Sequence, residues 1–316
     1  MPVTRPDGRA SKAIDAAGLG LAVNAESLAD LELITRVVGT RMPDAEPTVE
    51  LSIGHVEPPL PAGPPDLEGP YGDHWFQGSP KYFHHHWGLD VEITPGSITM
   101  GGPAEGYRRW VSVRNAMLFV LAHLYLDQGR FLVHGAAIHR RGETYLVLGE
   151  SGAGKSTLAF AAAGSGWDLL GDDMVVVDGA PGEFSARGVP RVPSIPGDVA
   201  GASHEGLPRL PEDDRARVEL DSVELYPNPA RITGVVICGH DAGAGTLGTN
   251  AGTSTMESLI SSFVLSEYPA ALRRWFATAA GLSRLPVVRI LHCADPDDRV
   301  RRAAELLDEW QLRDRS

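Results

Sequence analysis

Residues 149–156, with the sequence GESGAGKS, have the residue types and spacing that could handle a nucleotide. They fit the pattern G-x-x-x-x-G-K-[ST] without deviation, after the apolar segment YLVL and before an alanine-rich helix. Glycines in such a loop let successive backbone N–H groups point at phosphate oxygens, and the helix N-terminus adds its own N–H groups. The alternative is a glycine-rich turn that only caps a helix, which would require neither the lysine nor the hydroxyl.

The loop side chains have separate predicted tasks. Lys155 reaches the terminal phosphates, and the Ser156 hydroxyl ligates Mg²⁺. ATP and Mg²⁺ are therefore the predicted cofactors. The predicted nucleotide-binding residues are Gly149, Glu150, Ser151, Gly152, Ala153, Gly154, Lys155, Ser156 and Thr157.

Two adjacent aspartates, Asp172 and Asp173, follow in the segment WDLLGDDMVVV, which is predicted to be a strand. Phosphoryl transfer to an alcohol needs one carboxylate for Mg²⁺ and another to accept the hydroxyl proton. Neighbours on a regular strand point to opposite faces, so both reach one site only if the backbone twists there. The alternative places one aspartate on the metal and the other in solvent.

The spacing around the loop resembles that of HPr kinase/phosphorylase and, more distantly, of phosphoenolpyruvate carboxykinase. His134, in the segment VHGAAI, lies 21 residues before Lys155. Gly166 lies 11 residues after that lysine, and the aspartate pair begins 17 residues after it, at Asp172. The resemblance covers residues 130–178.

The resemblance implies a role for each of these side chains. Lys155 and the loop backbone would hold the β- and γ-phosphates, and Ser156 and Asp173 would bind Mg²⁺. Asp172 would act as the general base, and His134 would lie beside the transferring phosphoryl group. The order of roles within the aspartate pair stays open. Without the spacing, His134 would read as a satisfied core histidine.

The chain also departs from those kinases. Thr157 stands where they commonly have an acidic residue, and their downstream signature, a glutamate followed closely by Arg-Gly-Leu-Gly, is absent. Arg187 and Gly188 are interpreted as its remnant, and Glu183 as a candidate second metal carboxylate. Whether the acceptor is HPr and whether the reverse phosphorylase reaction occurs therefore stay open.

The predicted fold class is α/β, a P-loop core of the HPr kinase/phosphoenolpyruvate carboxykinase type with a mixed β-sheet and flanking helices. The segments FLVHGAAIH and TYLVLG are predicted to be two antiparallel strands that lead into the loop. Residues 1–99 are predicted to be a region that packs on the core, with a Pro/Gly-rich loop at 57–72, and residues 100–316 the kinase domain. Other predicted elements are helices at 25–39, 108–128 and 295–310, a hairpin at 89–100 and a strand at 285–294.

The composition narrows the classes of partner. The formal net charge is −13, with 41 acidic residues against 28 basic ones. Because no basic field would attract a polyanion, neither a nucleic acid nor an anionic membrane is an expected partner. A cytoplasmic location is expected, because the N-terminus lacks the apolar core of a signal peptide. A homo-oligomer is an open alternative, since related kinases form rings.

Two further segments are candidates for contact with the substrate. The Pro/Gly-rich residues 188–214 read as a lid or substrate loop, and Arg187, Arg191 and Arg209 could offer positive charge to a phosphate or acidic substrate. The residues His84, His85 and His86 cannot share one strand face, which disfavours a metal site; lining a substrate entrance is the alternative.

Together these patterns predict a kinase that transfers the γ-phosphate of ATP to a hydroxyl. The acceptor stays open between a protein or peptide serine and a small alcohol. Two alternatives are a nucleotide-binding regulatory protein and an ATPase that transfers no phosphoryl group to an acceptor.

Overall fold

The computed structural model describes residues 3–4, 8–191, 194–196, 217–219, 225–240, 246–248, 253–292 and 296–313. The chain divides into two compact units, Met1–Leu124 and Tyr125–Ser316, which we call the N-terminal and C-terminal units. The predicted domain boundary between residues 99 and 100 stays a prediction. Arg209 and most of the predicted lid at 188–214 lie outside the described residues.

The N-terminal unit is built on a nine-stranded sheet with the order β1-β2-β3-β4-β9-β8-β7-β6-β5. Alternate residues of its strands are buried, as in β3, because one face carries the apolar side chains. Its elements are β1 (Val3–Thr4), β2 (Ala10–Ala16), β3 (Leu19–Ala25), α1 (Leu28–Val38), β4 (Val49–Gly54), β5 (Leu67–Glu68), β6 (Gly72–Trp75), β7 (Lys81–His85), β8 (Leu89–Thr94), β9 (Ser97–Gly101) and most of α2 (Gly106–Asp127).

Helix α1 shows how local sequence sets the boundaries of an element. The Ser27 side chain accepts a hydrogen bond from the backbone N–H of Asp30, so it caps the helix N-terminus. Leu31 and Ile34 are buried on one face, and Gly39 ends the helix with a φ of 83°. The helices predicted at 25–39 and 108–128 and the hairpin predicted at 89–100 are confirmed.

The predicted loop at 57–72 is wrong at its C-terminal end. There β5 pairs antiparallel with β6, and Leu67 lies opposite His74. A strand of two residues at the edge of a sheet leaves too short an alternation to be read from sequence.

The C-terminal unit contains two main sheets. A six-stranded sheet has the order β13-β11-β12-β19-β21-β20, and a four-stranded sheet has the order β10-β14-β15-β18. The strands are β10 (Phe131–Val133), β11 (Ala136–Arg140), β12 (Glu143–Leu148), β13 (Asp168–Gly171), β14 (Val175–Asp178), β15 (Ser185–Gly188), β16 (Ser194–Pro196), β17 (Arg217–Glu219), β18 (Ala230–Arg231), β19 (Gly234–His240), β20 (Thr246–Gly248) and β21 (Val287–His292); β16 and β17 pair with each other.

The six-stranded sheet is mixed, as the sequence predicts. Strands β12, β19 and β21 are parallel, while β11 is antiparallel to both of its neighbours. The helices of this unit are α3 (Lys155–Gly164), α4 (Thr253–Ser262), α5 (Pro269–Leu282) and α6 (Pro296–Arg313). The protein is therefore a mixed α/β protein with flanking helices, and the helix predicted at 295–310 and the strand predicted at 285–294 are confirmed.

Helices α3 and α6 pack against one face of the six-stranded sheet. Leu158 of α3 and Leu306 of α6 belong to one buried cluster with Val147 of β12. Trp310 adds a ring contact with Tyr145, with ring centroids 4.2 Å apart. This apolar layer fixes the start of α3 relative to the end of β12. No helix within the described ranges is both long enough and apolar enough to cross a membrane.

Two predicted strands are each split in the structure. The segment FLVHGAAIH forms β10 and β11, and the segment WDLLGDDMVVV forms β13 and β14. In both cases the chain passes from one sheet of the C-terminal unit to the other, since β10 pairs with β14 and β11 pairs with β13. The prediction of continuous strands is therefore wrong, and Asp172 and Asp173 lie between two strands rather than within one.

Candidate active site

The candidate site lies at two neighbouring connections, β10 to β11 and β13 to β14, where the chain passes from one sheet to the other. Because β10 pairs with β14 and β11 with β13, the connections at 134–135 and 172–174 lie opposite each other. This brings the His134 side chain to Asp173. Its Nδ1 atom lies 3.1 Å from Asp173 Oδ1 and 3.2 Å from the Asp173 backbone oxygen.

Glycines make room where both connections pass from one sheet to the other. A Cβ atom on Gly135 would lie 2.7 Å from the Val147 carbonyl oxygen, and one on Gly171 would lie 2.6 Å from the Cα of Gly188. Asp173 has a φ of 76°, a left-handed conformation that aspartate tolerates better than most residues. The backbone therefore turns at the two aspartates. Such a turn is required, as expected from the sequence, if both carboxylates are to reach one site.

The glycine-rich loop connects β12 to α3. Gly152 and Gly154 have φ values of 80° and 93°, which a side chain would strain. A Cβ on Gly149 would lie 2.6 Å from the Cys238 carbonyl oxygen, so the loop runs close along the end of β19. The Gly154 cap supplies no side chain, and the first turn of α3 has no acidic residue. The N–H groups and the dipole at the N-terminus of α3 therefore favour binding of an anion from outside the chain.

Lys155 is held against the loop backbone. The residue is 7% exposed. Its ammonium donates hydrogen bonds to the carbonyl oxygens of Gly149, at 2.9 Å, and Glu150, at 3.0 Å. These bonds fix the lysine charge on the inner side of the loop.

Ser156 and Asp172 form the first half of the polar cluster. The Ser156 hydroxyl donates a hydrogen bond to Asp172 Oδ1 at 3.0 Å, and Asp172 is buried. A hydroxyl and a carboxylate are hard oxygen donors of the kind that suit Mg²⁺. No group of three or more His, Cys, Asp or Glu side chains among the described residues could hold a metal by itself.

Asp173, His134 and Arg191 form the second half of the cluster. Asp173 Oδ2 accepts a hydrogen bond from Nη1 of Arg191, while Oδ1 faces His134. Arg191 is buried, whereas the His134 side chain is 43% exposed. The backbone N–H of Val189 donates to the Met174 carbonyl, which ties the segment after β15 to the aspartate connection. The two aspartates thus have different partners.

The remaining predicted residues differ in exposure. Glu150 and Ser151 are exposed in the loop, while Ala153 and Thr157 are buried. Glu183 is exposed in the turn between β14 and β15, at the opposite end of that hairpin from the aspartates. The interpretation of Glu183 as a second metal carboxylate is therefore wrong, because the strand length separates it from the site.

Two backbone groups at the site had no signal in the sequence. The Ser262 carbonyl, at the end of α4, accepts the backbone N–H of His134 at 2.7 Å. The Cys238 carbonyl limits the space behind Gly149. Every residue carries a carbonyl, so only the tertiary fold identifies these two.

The three consecutive histidines belong to the N-terminal unit and have local partners. His84 Nδ1 lies 2.5 Å from Asp90 Oδ1. His85 is buried, and its Nδ1 lies 3.1 Å from the Ser112 hydroxyl. His86 Nε2 lies 3.6 Å from an oxygen of Asp73. Their predicted part in a substrate entrance stays a prediction.

Similarity to known proteins is found among solved structures and not among family models or curated sequences. No family model matches the chain, and no curated protein matches it. The solved structures that match include the Hpr(Ser) kinase/phosphatase from Coxiella burnetii, at 12% identity and a TM-score of 0.30, over 58% of this chain and 99% of that one. At these values the similarity establishes neither a shared family nor a shared activity.

Proposed function

We propose that the protein is an ATP-dependent phosphotransferase that moves the γ-phosphoryl group to a hydroxyl of a protein, a peptide or a small alcohol. The observation that carries the proposal is the separation of the two aspartates. Asp172 contacts Ser156 at the start of α3, while Asp173 lies between His134 and Arg191. Transfer to a hydroxyl needs these two carboxylate tasks, one at the metal and one at the acceptor.

The contacts favour one assignment of the pair. Ser156 and Asp172 are close enough for one Mg²⁺ to be shared between them, so we assign Asp172 to the metal. Asp173, beside the partly exposed His134, is assigned as the base. This order is the reverse of the one that the family resemblance implies. Bound Mg²⁺ would neutralise charge on the phosphate oxygens.

The proposed step uses the side chains as they stand around the loop. The Asp173 carboxylate accepts the proton of the acceptor hydroxyl, whose oxygen forms a bond to the γ-phosphorus. The bond from that phosphorus to the bridging oxygen breaks, and its electron pair leaves with ADP. Lys155 and the loop N–H groups hold the phosphate oxygens, and His134 orients the Asp173 carboxylate.

Transfer of label from γ-labelled ATP tests the proposal. The purified full chain is incubated with Mg²⁺ and a size-fractionated extract of the source cells, beside Asp173→Asn, Asp172→Asn and Lys155→Ala. We expect label in one fraction with the wild type. Asp173→Asn should lower the rate about 10²- to 10⁴-fold, because the general base is lost. Asp172→Asn should instead raise the Mg²⁺ concentration needed for half-maximal rate.

ATP affinity of each variant, measured in parallel, separates lost binding from lost chemistry. If free phosphate is the only product and Asp173→Asn forms it as fast as the wild type, the kinase proposal fails in favour of an ATPase. If Asp172→Asn loses the rate at every Mg²⁺ concentration while Asp173→Asn shifts the Mg²⁺ requirement, the assignment of the pair is reversed.

A further inference from the structure

Arg191 is a buried cation whose hydrogen-bonding capacity is not used up. The residue is 8% exposed, and its Nη1 donates to Asp173 Oδ2. Its Nε atom is buried and has no acceptor among the residues that the structure describes. Leaving a buried donor without an acceptor costs about 1–3 kcal/mol, and more for a charged group. An acceptor that arrives with a ligand would remove this cost at Arg191.

The geometry of a guanidinium group says where that acceptor would lie. The group is planar and carries five N–H donors in a fixed fork. Nε and Nη1 belong to different edges of this plane, so a group on Nη1 does not use the Nε donor. Phosphate oxygens suit this edge, because arginine binds them through parallel N–H groups.

The position of Arg191 places this edge close to the proposed reaction centre. Arg191 contacts Asp173, and the preceding residue, Asp172, contacts Ser156, which follows Lys155. Two side-chain contacts and one peptide bond thus connect Arg191 to the loop that is proposed to hold the phosphates. Arg191 approaches from the segment after β15, whereas Lys155 approaches from α3.

We propose that the Nε edge of Arg191 donates to an oxygen of the γ-phosphoryl group, while Nη1 keeps the Asp173 carboxylate aligned with the acceptor. The inference rests on the proposed function, because it requires that ATP binds in the glycine-rich loop. Charge that spreads over the phosphoryl oxygens during transfer would be held from two sides, by Lys155 and by Arg191.

The test compares the affinities for ATP and ADP in Arg191→Gln and Arg191→Lys, using the full chain with Mg²⁺ and isothermal titration calorimetry. ADP lacks the γ-phosphoryl group. Arg191→Gln should weaken ATP binding by about tenfold or more while changing ADP binding less than about threefold, because one charge-assisted contact is lost. Arg191→Lys keeps the charge but not the fork, so its ATP affinity should fall between those of the wild type and Arg191→Gln.

The transfer assay gives a second readout. We expect Arg191→Gln to lower the transfer rate by about 10²- to 10³-fold at saturating ATP, because the contact grows stronger as charge develops. Added guanidinium should restore part of the rate in Arg191→Ala. A merely structural arginine would not respond in this way.

Distinct outcomes separate this inference from the proposed function. An equal loss of ATP and ADP affinity in Arg191→Gln and Arg191→Lys would overturn it, as would an unchanged ratio with an unchanged transfer rate. If the ATP-to-ADP ratio depends on Arg191 but no acceptor is ever labelled, Arg191 still contacts the γ-phosphoryl group and the kinase proposal fails. If the wild type binds no nucleotide, both fail. A thermal melt of each variant excludes unfolding.

Discussion

Each unit of the molecule buries an arginine against an aspartate, and the two arginines differ in how fully their donors are used. Arg109 in the N-terminal unit donates to Asp30 Oδ1 from Nε at 2.9 Å and from Nη2 at 2.6 Å. Its Nη1 and Nη2 also donate to the carbonyl oxygens of Gly102, at 3.1 Å, and Gly54, at 2.9 Å. Arg191 in the C-terminal unit has a buried Nε with no described acceptor.

The difference separates an ion pair whose donors all have acceptors from one with a donor left for the proposed γ-phosphoryl group. The partners of Arg109 are Asp30 in the first turn of α1, the carbonyl of Gly54 at the end of β4 and the carbonyl of Gly102 directly after β9. The Ser27 hydroxyl donates to the other oxygen of Asp30 at 2.8 Å, so that carboxylate is also fully engaged. Around Asp173 the structure places the side chains of His134 and Arg191, two residues that lie outside helices and strands.

The largest expected effect is on stability, in Arg109→Met. Removing one partner of a buried pair leaves the other charge uncompensated, so we expect a loss of about 3–5 kcal/mol in the free energy of unfolding. Arg191→Met should cost less than about 1.5 kcal/mol, because Asp173 keeps His134 as a partner and its side chain is 12% exposed. Urea unfolding followed by circular dichroism measures both.

The double variant Arg109→Met, Asp30→Leu is the matched control. It removes both charges, so it should recover part of the stability that Arg109→Met loses. Equal losses for Arg109→Met and Arg191→Met would break the comparison, since both pairs would then be structural.

A second effect, of up to about 2 kcal/mol for each buried histidine, concerns pH and the N-terminal unit. Burial lowers the pKa of His74 and of His85 from 6.5 to about 4, and that of His123 to about 3. His85 Nδ1 also accepts the Trp87 backbone N–H at 3.1 Å, which requires an unprotonated nitrogen. These histidines are neutral in the folded state. Their contribution to stability is present above pH 6.5 and is lost as pH falls towards 4.

The measurement is urea unfolding at pH 7 and pH 5. We expect each of the three histidines to lower the free energy of unfolding by up to about 2 kcal/mol over this range. His74→Phe should weaken the pH dependence, because a phenylalanine can pack on Phe83 and Phe119 as the imidazole does and does not titrate. An unchanged pH dependence in His74→Phe would show that this buried histidine does not set it.

The helices and the glycine-rich loop could be predicted from the sequence because their signals are local. Gly39 ends α1 in the left-handed conformation, and the pattern at 149–156 fixes the start of α3 at Lys155. Spacing along one chain segment contains that information. The antiparallel entry of β11 and β12 into the loop was predictable for the same reason.

The change of sheet at the site was not predictable in this way. Alternation along FLVHGAAIH is the same whether the strand stays in one sheet or passes to another. Gly135 and Gly171 are the sequence marks of the crossing, but a glycine within a strand indicates a close approach without naming the partner. The contact of Asp173 with Arg191 depends on that crossing, so only the tertiary structure shows it.

The smallest expected effect is in Arg140→Ala, which tests a charge pair that is neither buried nor at the site. Arg140 Nη1 lies 3.2 Å from Asp308 Oδ1, and the Asp308 side chain is 57% exposed. The guanidinium also lies 5.7 Å from the centroid of the Trp167 ring. An exposed pair with one ring contact contributes at most about 1 kcal/mol, and ATP affinity should not change. Asp308→Ala, which spares the ring contact, should cost less stability than Arg140→Ala.

Urea unfolding and calorimetry measure these effects. A loss in Arg140→Ala as large as in Arg109→Met would mean that burial does not distinguish the charge pairs of this chain. If Arg140→Ala loses little stability and keeps its ATP affinity, the buried Nε donor remains the feature that distinguishes Arg191 from this surface arginine.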